Sequence, residues 1–417
     1  MPALSPFAAL RYTSAAGGLA EVLAPPYDVI DGALAEELRD RSPYNAVRLI
    51  LPEGAGDERY AVAAERLAEW RGSGILARDA VPAVYVYRQR YARDGASVDR
   101  LALFAALELV PLDGGKVLAH EHTHAGPKAD RLALTLATET QLSPIFLLGR
   151  DADDVLIETL RSVADGTAPD QQATTPDGIE HSLWIVDEEG AAELFCVVGG
   201  RHPLLIADGH HRYETALEVA RRLGTPASRL MLSCIVSERD PGLIIQPTHR
   251  TITAVAGLEG GHEALSRRLE QWYEVEDLGP MEAAAAGARA ALDPAEVVMV
   301  SGDAGGGDSY AFRLSPRAPG TTAAERIAAI TFERHVMGEL LGTNASDASD
   351  AGWLEYHRHP SEAIRRAESG GAAFLLPAVS LAAVWEATAA GVRLPPKSTY
   401  FEPKMPSGLL FRALEAG

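Results

Sequence analysis

The stretch Pro203-Leu-Leu-Ile-Ala-Asp-Gly-His-His-Arg-Tyr-Glu-Thr-Ala-Leu217 restricts the folds open to this chain more than any other. Leu204 to Ala207 is a short apolar run of strand length, and Gly209 admits a tight turn that a side chain would resist. Beyond it Tyr213, Ala216, Leu217, Ala220 and Leu223 recur at helical spacing, so the unit reads strand, turn, helix. The first turn of such a helix carries unbonded backbone N–H groups and the positive end of the dipole, with His210, His211 and Arg212 beside them. An anion is the ligand that suits such a place, and a phosphate suits it best. The Arg212 guanidinium is a fork for two phosphate oxygens, and a histidine held next to an anion takes up a proton and donates. Asp208 has two readings: a helix cap worth about 1 kcal/mol, or a general base or metal ligand. The plain alternative for the whole turn is a capped helix whose Arg212 pairs with Glu214 or a neighbour.

Charge and cysteine usage limit what the turn could serve. Lysine and arginine number 38 against 58 aspartates and glutamates, a formal charge of −20, which repels phosphate polymers and anionic lipid. The expectation is therefore a small-molecule ligand, with no nucleic acid and no membrane as partner. Cys196 and Cys234 are the only cysteines, which fits buried structural thiols in a reducing compartment. Met1 to Ala24 lacks a basic end followed by an apolar run, and no run of about 18 apolar residues occurs. A cytoplasmic protein is expected.

Stretches with the strand period and the helix period alternate along 417 residues, which predicts a mixed α/β or α+β architecture with more than one core. Tyr60, Ala63, Ala64, Leu67 and Trp70 predict a helix from Glu58, ended by Gly72 and Gly74. Residues 83–91 and 100–110 predict a hairpin about the turn Asp94-Gly95. Residues 165–178 read as a polar surface connection, 302–308 and 315–320 as loops, and 342–352 as a break. Thr322-Ala-Ala-Glu325 has the form of a capping box opening a helix through about Leu341. A composition change at 253–261 suggests a division into residues 1–255 and a helix-rich 256–417.

Asp208-Gly-His-His-Arg-Tyr-Glu-Thr-Ala resembles the phosphate-gripping turn of the ParB and sulfiredoxin-like superfamily. Further segments extend a likeness over nearly the whole chain: Ala24-Pro-Pro-Tyr-Asp-Val-Ile30, Asn45-Ala-Val-Arg-Leu49, His120-Glu121 with Thr123, Lys128 and Asp130-Arg131, Leu142-Ser-Pro-Ile-Phe146, Pro247-Thr-His-Arg250, and Lys397-Ser-Thr-Tyr-Phe401 with Pro403-Lys404. Together they are similar to the domain-of-unknown-function 1015 family. The resemblance implies a ParB-like nucleotide-binding core in the first part. It also implies small-molecule phosphotransfer, because the wider superfamily includes kinases that phosphorylate free serine from ATP or ADP. The match to those kinases is carried by Asp208 to Arg212.

Phosphoryl transfer needs positive charge around the moving group, a magnesium ion with the nucleotide, and an acid that orients the hydroxyl. Asp208 and Glu121 are the candidates for orienting the hydroxyl or holding magnesium, with Asp28 a third. Gly209, His210, His211 and Arg212 would grip phosphate, and Arg48, Lys128, Arg131, Lys397 and Lys404 would neutralise its oxygens; a solvated side chain is the alternative for each. His120-Glu-His-Thr-His124 also satisfies the zinc pattern His-Glu-x-x-His, with Glu139 one choice of third ligand. That pattern needs regular helix, whereas Gly114-Gly115 precedes it and Gly126-Pro127 follows. No Gly-x-x-x-x-Gly-Lys loop, no Gly-x-Gly-x-x-Gly after a strand and no Gly-x-Ser-x-Gly elbow occurs. Residues 394–404, rich in proline, lysine and aromatics, are either a flap over a ligand or a packed strand. Three functions stand open: a nucleotide-dependent kinase, a nucleotide-binding regulatory module without chemistry, and a zinc hydrolase.

Overall fold

The turn Asp94-Gly95, with both residues at positive φ (51° and 80°), folds the chain back on itself. It joins the strands Val84–Arg93 and Ala96–Glu108 as the central pair of a larger sheet. Positive φ at both turn positions matches the right-handed twist of the strands, and glycine takes it without strain. The computed structural model describes residues 1–121, 125–253, 261–280, 293–302, 309–318, 320–367 and 371–415. By contact the chain forms two compact units, one of residues 1–119, 123–243 and 403–417, the other of 120–122 and 244–402. The boundary expected at 255/256 falls inside the second.

In the first unit the described residues form a nine-stranded mixed sheet. Its order is Val117–Ala119, Leu204–Asp208, Ile145–Gly149, Leu230–Ser237, Ala96–Glu108, Val84–Arg93, Glu180–Val186, Gln171–Thr174, and Leu4–Ser5 adds to Ala96–Glu108. The inner strands are apolar on both faces because helices cover them. Leu103, Leu147, Ile206 and Tyr213 belong to one core cluster and are buried. A second cluster gathers Leu10, Tyr12, Leu67, Trp70 and Phe411 around the helix Glu58–Gly72. Both cysteines are buried thiols; burial pushes Cys196 up to about 11 and Cys234 higher still.

The second unit has a six-stranded antiparallel sheet in the order Tyr273–Pro280, Ser309–Pro316, Val297–Gly302, Ala372–Leu375, His249–Ile252, Leu354–His357. Ala363, Ile364 and Ala367 of the helix Pro360–Ala367 pack on Val298, Val300 and Ala373 of that sheet. The architecture is thus mixed α/β, as expected, and no described helix is long and apolar enough to cross a membrane.

Several local expectations need correction. The connection 165–178 contains an edge strand, Gln171–Thr174, which stays polar because only one side of it is paired and its side chains alternate with solvent. The capping box forms, with Thr322 Oγ1 accepting from the Glu325 N–H at 3.2 Å and Glu325 Oε2 accepting from the Thr322 N–H at 3.2 Å. Extended backbone at Ile327 then interrupts it, so the helix begins at Ala328 and continues as a wide π-helix over Phe332–Leu340. The break at 342–352 holds a short helix, Ala345–Asp350, capped by the Asn344 side chain. Strand Ser309–Pro316 runs into the expected loop 315–320, while 303–308 lie outside the described residues.

Buried polar pairs add a pH dependence. His181 Nδ1 lies 2.6 Å from the Tyr87 hydroxyl and its Nε2 2.9 Å from Thr175 Oγ1, and burial drives its pKa down to about 4. The unfolded imidazole titrates near 6.5, so the folded state loses stability as pH falls from that value toward 4. At about 1.4 kcal/mol per pKa unit, the native chain should lose about 2 kcal/mol more than a His181→Gln variant between pH 7 and 4.5. Urea unfolding followed by tryptophan fluorescence at the two pH values measures this; equal losses would mean that His181 is not held neutral by the fold.

Candidate functional site

Strand Leu204–Asp208 runs antiparallel to Ile145–Gly149 with a register shift between Ile206 and Asp208, so Ile206 faces Leu147 and Asp208 faces Phe146. A bulge of this kind bends a strand and re-aims the side chains after it. Gly209 follows at φ 96° and ψ 29° and serves as N-cap of the helix His210–Leu223. A methyl group there would lie 3.0 Å from Ile145 Cγ2 and 3.1 Å from Arg212 Cζ, so both backbone and space demand glycine.

The turn places Asp208 at the centre of a charge cluster. One carboxylate oxygen accepts from Arg212 Nη2 at 2.5 Å and the other from Lys404 Nζ at 2.5 Å. Arg212 also donates to the Pro144 carbonyl. All three side chains are largely buried, at 13%, 9% and 13% exposure for Asp208, Arg212 and Lys404. A charge-assisted cluster out of water is stronger than a surface pair, and removing one member strands the others. Of the plain alternative for Arg212, a pair with Glu214 or a neighbour, the structure shows the pair with the neighbouring Asp208. Glu214 Oε2 accepts from Lys128 at 2.8 Å, tying the helix Ala125–Thr138 to the helix His210–Leu223. His210 is buried and His211 half-buried at the same helix start.

Behind Arg212 lies a small cavity of about 40 Å³, lined among others by Tyr27, Arg131, Arg212, Thr215 and Gln141. That is room for a few water molecules. The Tyr27 ring lies under the Arg131 guanidinium, Cζ 4.1 Å from the ring centre. Arg131 Nη1 donates to the Ile50 carbonyl at 2.7 Å and its other nitrogens bind Asp130, whose carboxyl the Arg131 charge holds below the usual range against its own burial. Burial raises the Tyr27 hydroxyl, while Arg212 and Arg131 pull it back down.

Other expected residues have these partners. Arg48 donates to the carbonyls of Arg39 at 2.7 Å and Ser42 at 3.3 Å, finishing the C-terminal end of the helix Gly32–Arg41. Asp28 is exposed on the 3₁₀ turn Tyr27–Val29. Glu121 and Lys397 belong to the second unit, where Glu121 Oε1 accepts from the Lys397 N–H at 3.2 Å. His120 Nε2 lies 2.8 Å from Thr399 Oγ1 in that unit. Glu121 forms a bridge with Leu394 rather than a turn of helix. The zinc reading therefore loses the regular helix it needs, and His124 lies outside the described residues. The segment 394–404 divides, with Lys404 in the first unit and Lys397 in the second.

Sequence reasoning assigns no role to Tyr27, Gln141 or Thr215. Tyr27 lies within the family-like segment 24–30, whereas Thr215 carries the helical signal of Arg212 three residues on, which a buried hydroxyl shares with any core threonine.

A family model described as "Protein of unknown function (DUF1015)" matches residues 4–328. No curated protein matches the chain. Solved structures similar to it include a mutant free serine kinase in complex with ADP, 15% identical, covering 72% of this chain and 87% of that one at a TM-score of 0.36. A conserved hypothetical protein from Pyrococcus furiosus is 15% identical, with 73% and 93% covered and a TM-score of 0.36. A C-terminally truncated SbnI from Staphylococcus aureus is 12% identical, with 74% and 86% covered and a TM-score of 0.36.

A Gly209→Ala variant should lose about 1–3 kcal/mol, the cost of a side chain forced to positive φ, and more if Ile145 and Arg212 cannot move. Denaturant unfolding reads the loss; an unchanged midpoint would show that the turn relaxes freely.

Proposed function

The chain belongs to the DUF1015 family, and from that premise we propose that it is a nucleotide-dependent kinase of small hydroxylated metabolites, with free serine the first acceptor to try. The observation that carries this reading is the Asp208 carboxylate held between Arg212 and Lys404 at the start of a helix. Two cations meet at one carboxylate beside backbone N–H groups that have no helical partner. A nucleotide phosphate arriving there competes with Asp208 for both cations and for the helix dipole.

In this reading Lys404 and Arg212 pass from Asp208 to the phosphate oxygens, and His210 and His211 add donors. Asp208, released from Lys404, takes up the proton of the acceptor hydroxyl or one position on the magnesium that accompanies ATP or ADP. The hydroxyl oxygen bonds to the terminal phosphorus as the bond from that phosphorus to the bridging oxygen breaks, and the nucleotide leaves shorter by one phosphate. Arg131, held against Tyr27 and Asp130, supports the field around Arg212. Positive groups aimed at charge that grows during transfer are the main source of rate in this chemistry.

The test is incubation of the pure protein with ATP or ADP, magnesium and serine, followed by detection of phosphoserine. Turnover is expected, and Arg212→Ala and Asp208→Asn should each lower kcat/KM by at least about a hundredfold, as the loss of one charge-stabilising group does elsewhere. Nucleotide binding in calorimetry without product from any hydroxylated acceptor would replace this reading with that of a nucleotide-binding regulatory module.

A further inference from the structure

Arg100 is 1% exposed, and among the described residues no carboxylate comes within salt-bridge reach of it. Its Nη2 donates instead to the Pro403 carbonyl and to the side-chain oxygen of Gln89, its cross-strand partner. The guanidinium lies over the Phe146 ring, Cζ 5.0 Å from the centre. Gln89 completes the arrangement, its Nε2 donating to the Lys404 carbonyl at 3.1 Å. Among the described residues, Nε and Nη1 of Arg100 have no hydrogen-bond partner. Burial lowers the pKa of this guanidinium, which is the mark of a cation kept in place at a cost.

A buried cation without an acid partner is a poor device for stability, since an apolar side chain of the same volume would serve as well or better. Arg100 holds the Pro403 carbonyl and its partner Gln89 the Lys404 carbonyl, so together they grip the main chain on either side of the Lys404 α-carbon. Lys404 carries the ammonium that sits on Asp208. The rest of the returning segment is secured independently. Ser407 exchanges both backbone hydrogen bonds with Ala24 and its hydroxyl lies 2.6 Å from that of Ser143, and Phe411 pairs with Leu10. Arg100 and Gln89 therefore add nothing needed to anchor residues 407–413. They fix where Lys404 begins.

We propose that Arg100, with Gln89, is a positioning residue that holds the 403–404 backbone so that the Lys404 ammonium is delivered to Asp208 and, on nucleotide binding, to phosphate by side-chain motion alone. The transfer step rests on the kinase reading above; the delivery to Asp208 does not. The clamp lies on the two central strands, so it holds whether or not ligand is bound.

The experiment has two arms. The chain has four lysines, Lys116, Lys128, Lys397 and Lys404, so peptide mapping after brief treatment with an amine-acylating reagent reads each alone. In nucleotide-free Arg100→Met protein, Lys404 should be acylated about tenfold faster than in the native chain, because its nitrogen is no longer held on Asp208 by a charge-assisted hydrogen bond. Lys116, Lys128 and Lys397 should be unchanged. In the second arm, Arg100→Met should lower kcat about tenfold with the nucleotide KM within about threefold, and the double variant with Lys404→Met should be no slower than Lys404→Met alone. Should Arg100→Met fail to fold, Gln89→Leu carries the same two measurements. An unchanged Lys404 rate, or faster acylation of all four lysines together, overturns the proposal. Selective release of Lys404 in a protein that shows no phosphotransfer at all upholds the clamp and sinks the kinase reading instead.

Discussion

One carboxylate shared by two cations governs the arrangement of the first unit around its candidate site. Asp208 can meet Arg212 only because Gly209 turns the chain at positive φ and brings the next helical turn back over the strand end. It can meet Lys404 only because residues 403–417 return to the sheet after the whole of 244–402. Local backbone chemistry and a contact across 196 residues thus converge on one group. An ion cluster with so little exposure is costly to break singly, which ties the strand, the helix and the returning segment together.

On the proposed reading, the reason such a cluster suits phosphate is the same reason it is stable without one. The cations already face an anion with helix-start donors beside it, so the surroundings need little reorganisation when the anion changes. The small cavity behind Arg212 does not hold a nucleotide by itself; the guanidinium is held by Asp208 and the Pro144 carbonyl.

Much of this arrangement is legible in the order of the amino acids. The change from a strand run to helical spacing at Gly209 marks the turn, and the paired hairpin strands declare themselves through alternation and Asp94-Gly95. What stays hidden has physical causes. Arg100 and Gln89 sit within long strands, where nothing local separates a buried polar pair from a solvated one. The strand Gln171–Thr174 is polar because it is an edge, so its residues read as a loop. Thr322 and Glu325 do cap one another, yet a cap only permits a helix; whether one follows depends on packing further along, and Ile327 is extended. Lys404 stands out as a cation in a proline-rich and aromatic segment, but nothing near it points to a partner nearly two hundred residues away.

The path of the chain through its two units carries a consequence for synthesis. Residues 1–119 and 123–243 can assemble the large sheet while the ribosome is still making the second unit, but Asp208 must wait for residue 404 to emerge before it acquires its lysine. A polypeptide interrupted anywhere between 244 and 403 would lack one of the two positive charges on that carboxylate, together with Phe411 of the second core cluster. Completion of translation is therefore built into the site as a condition for its charge balance.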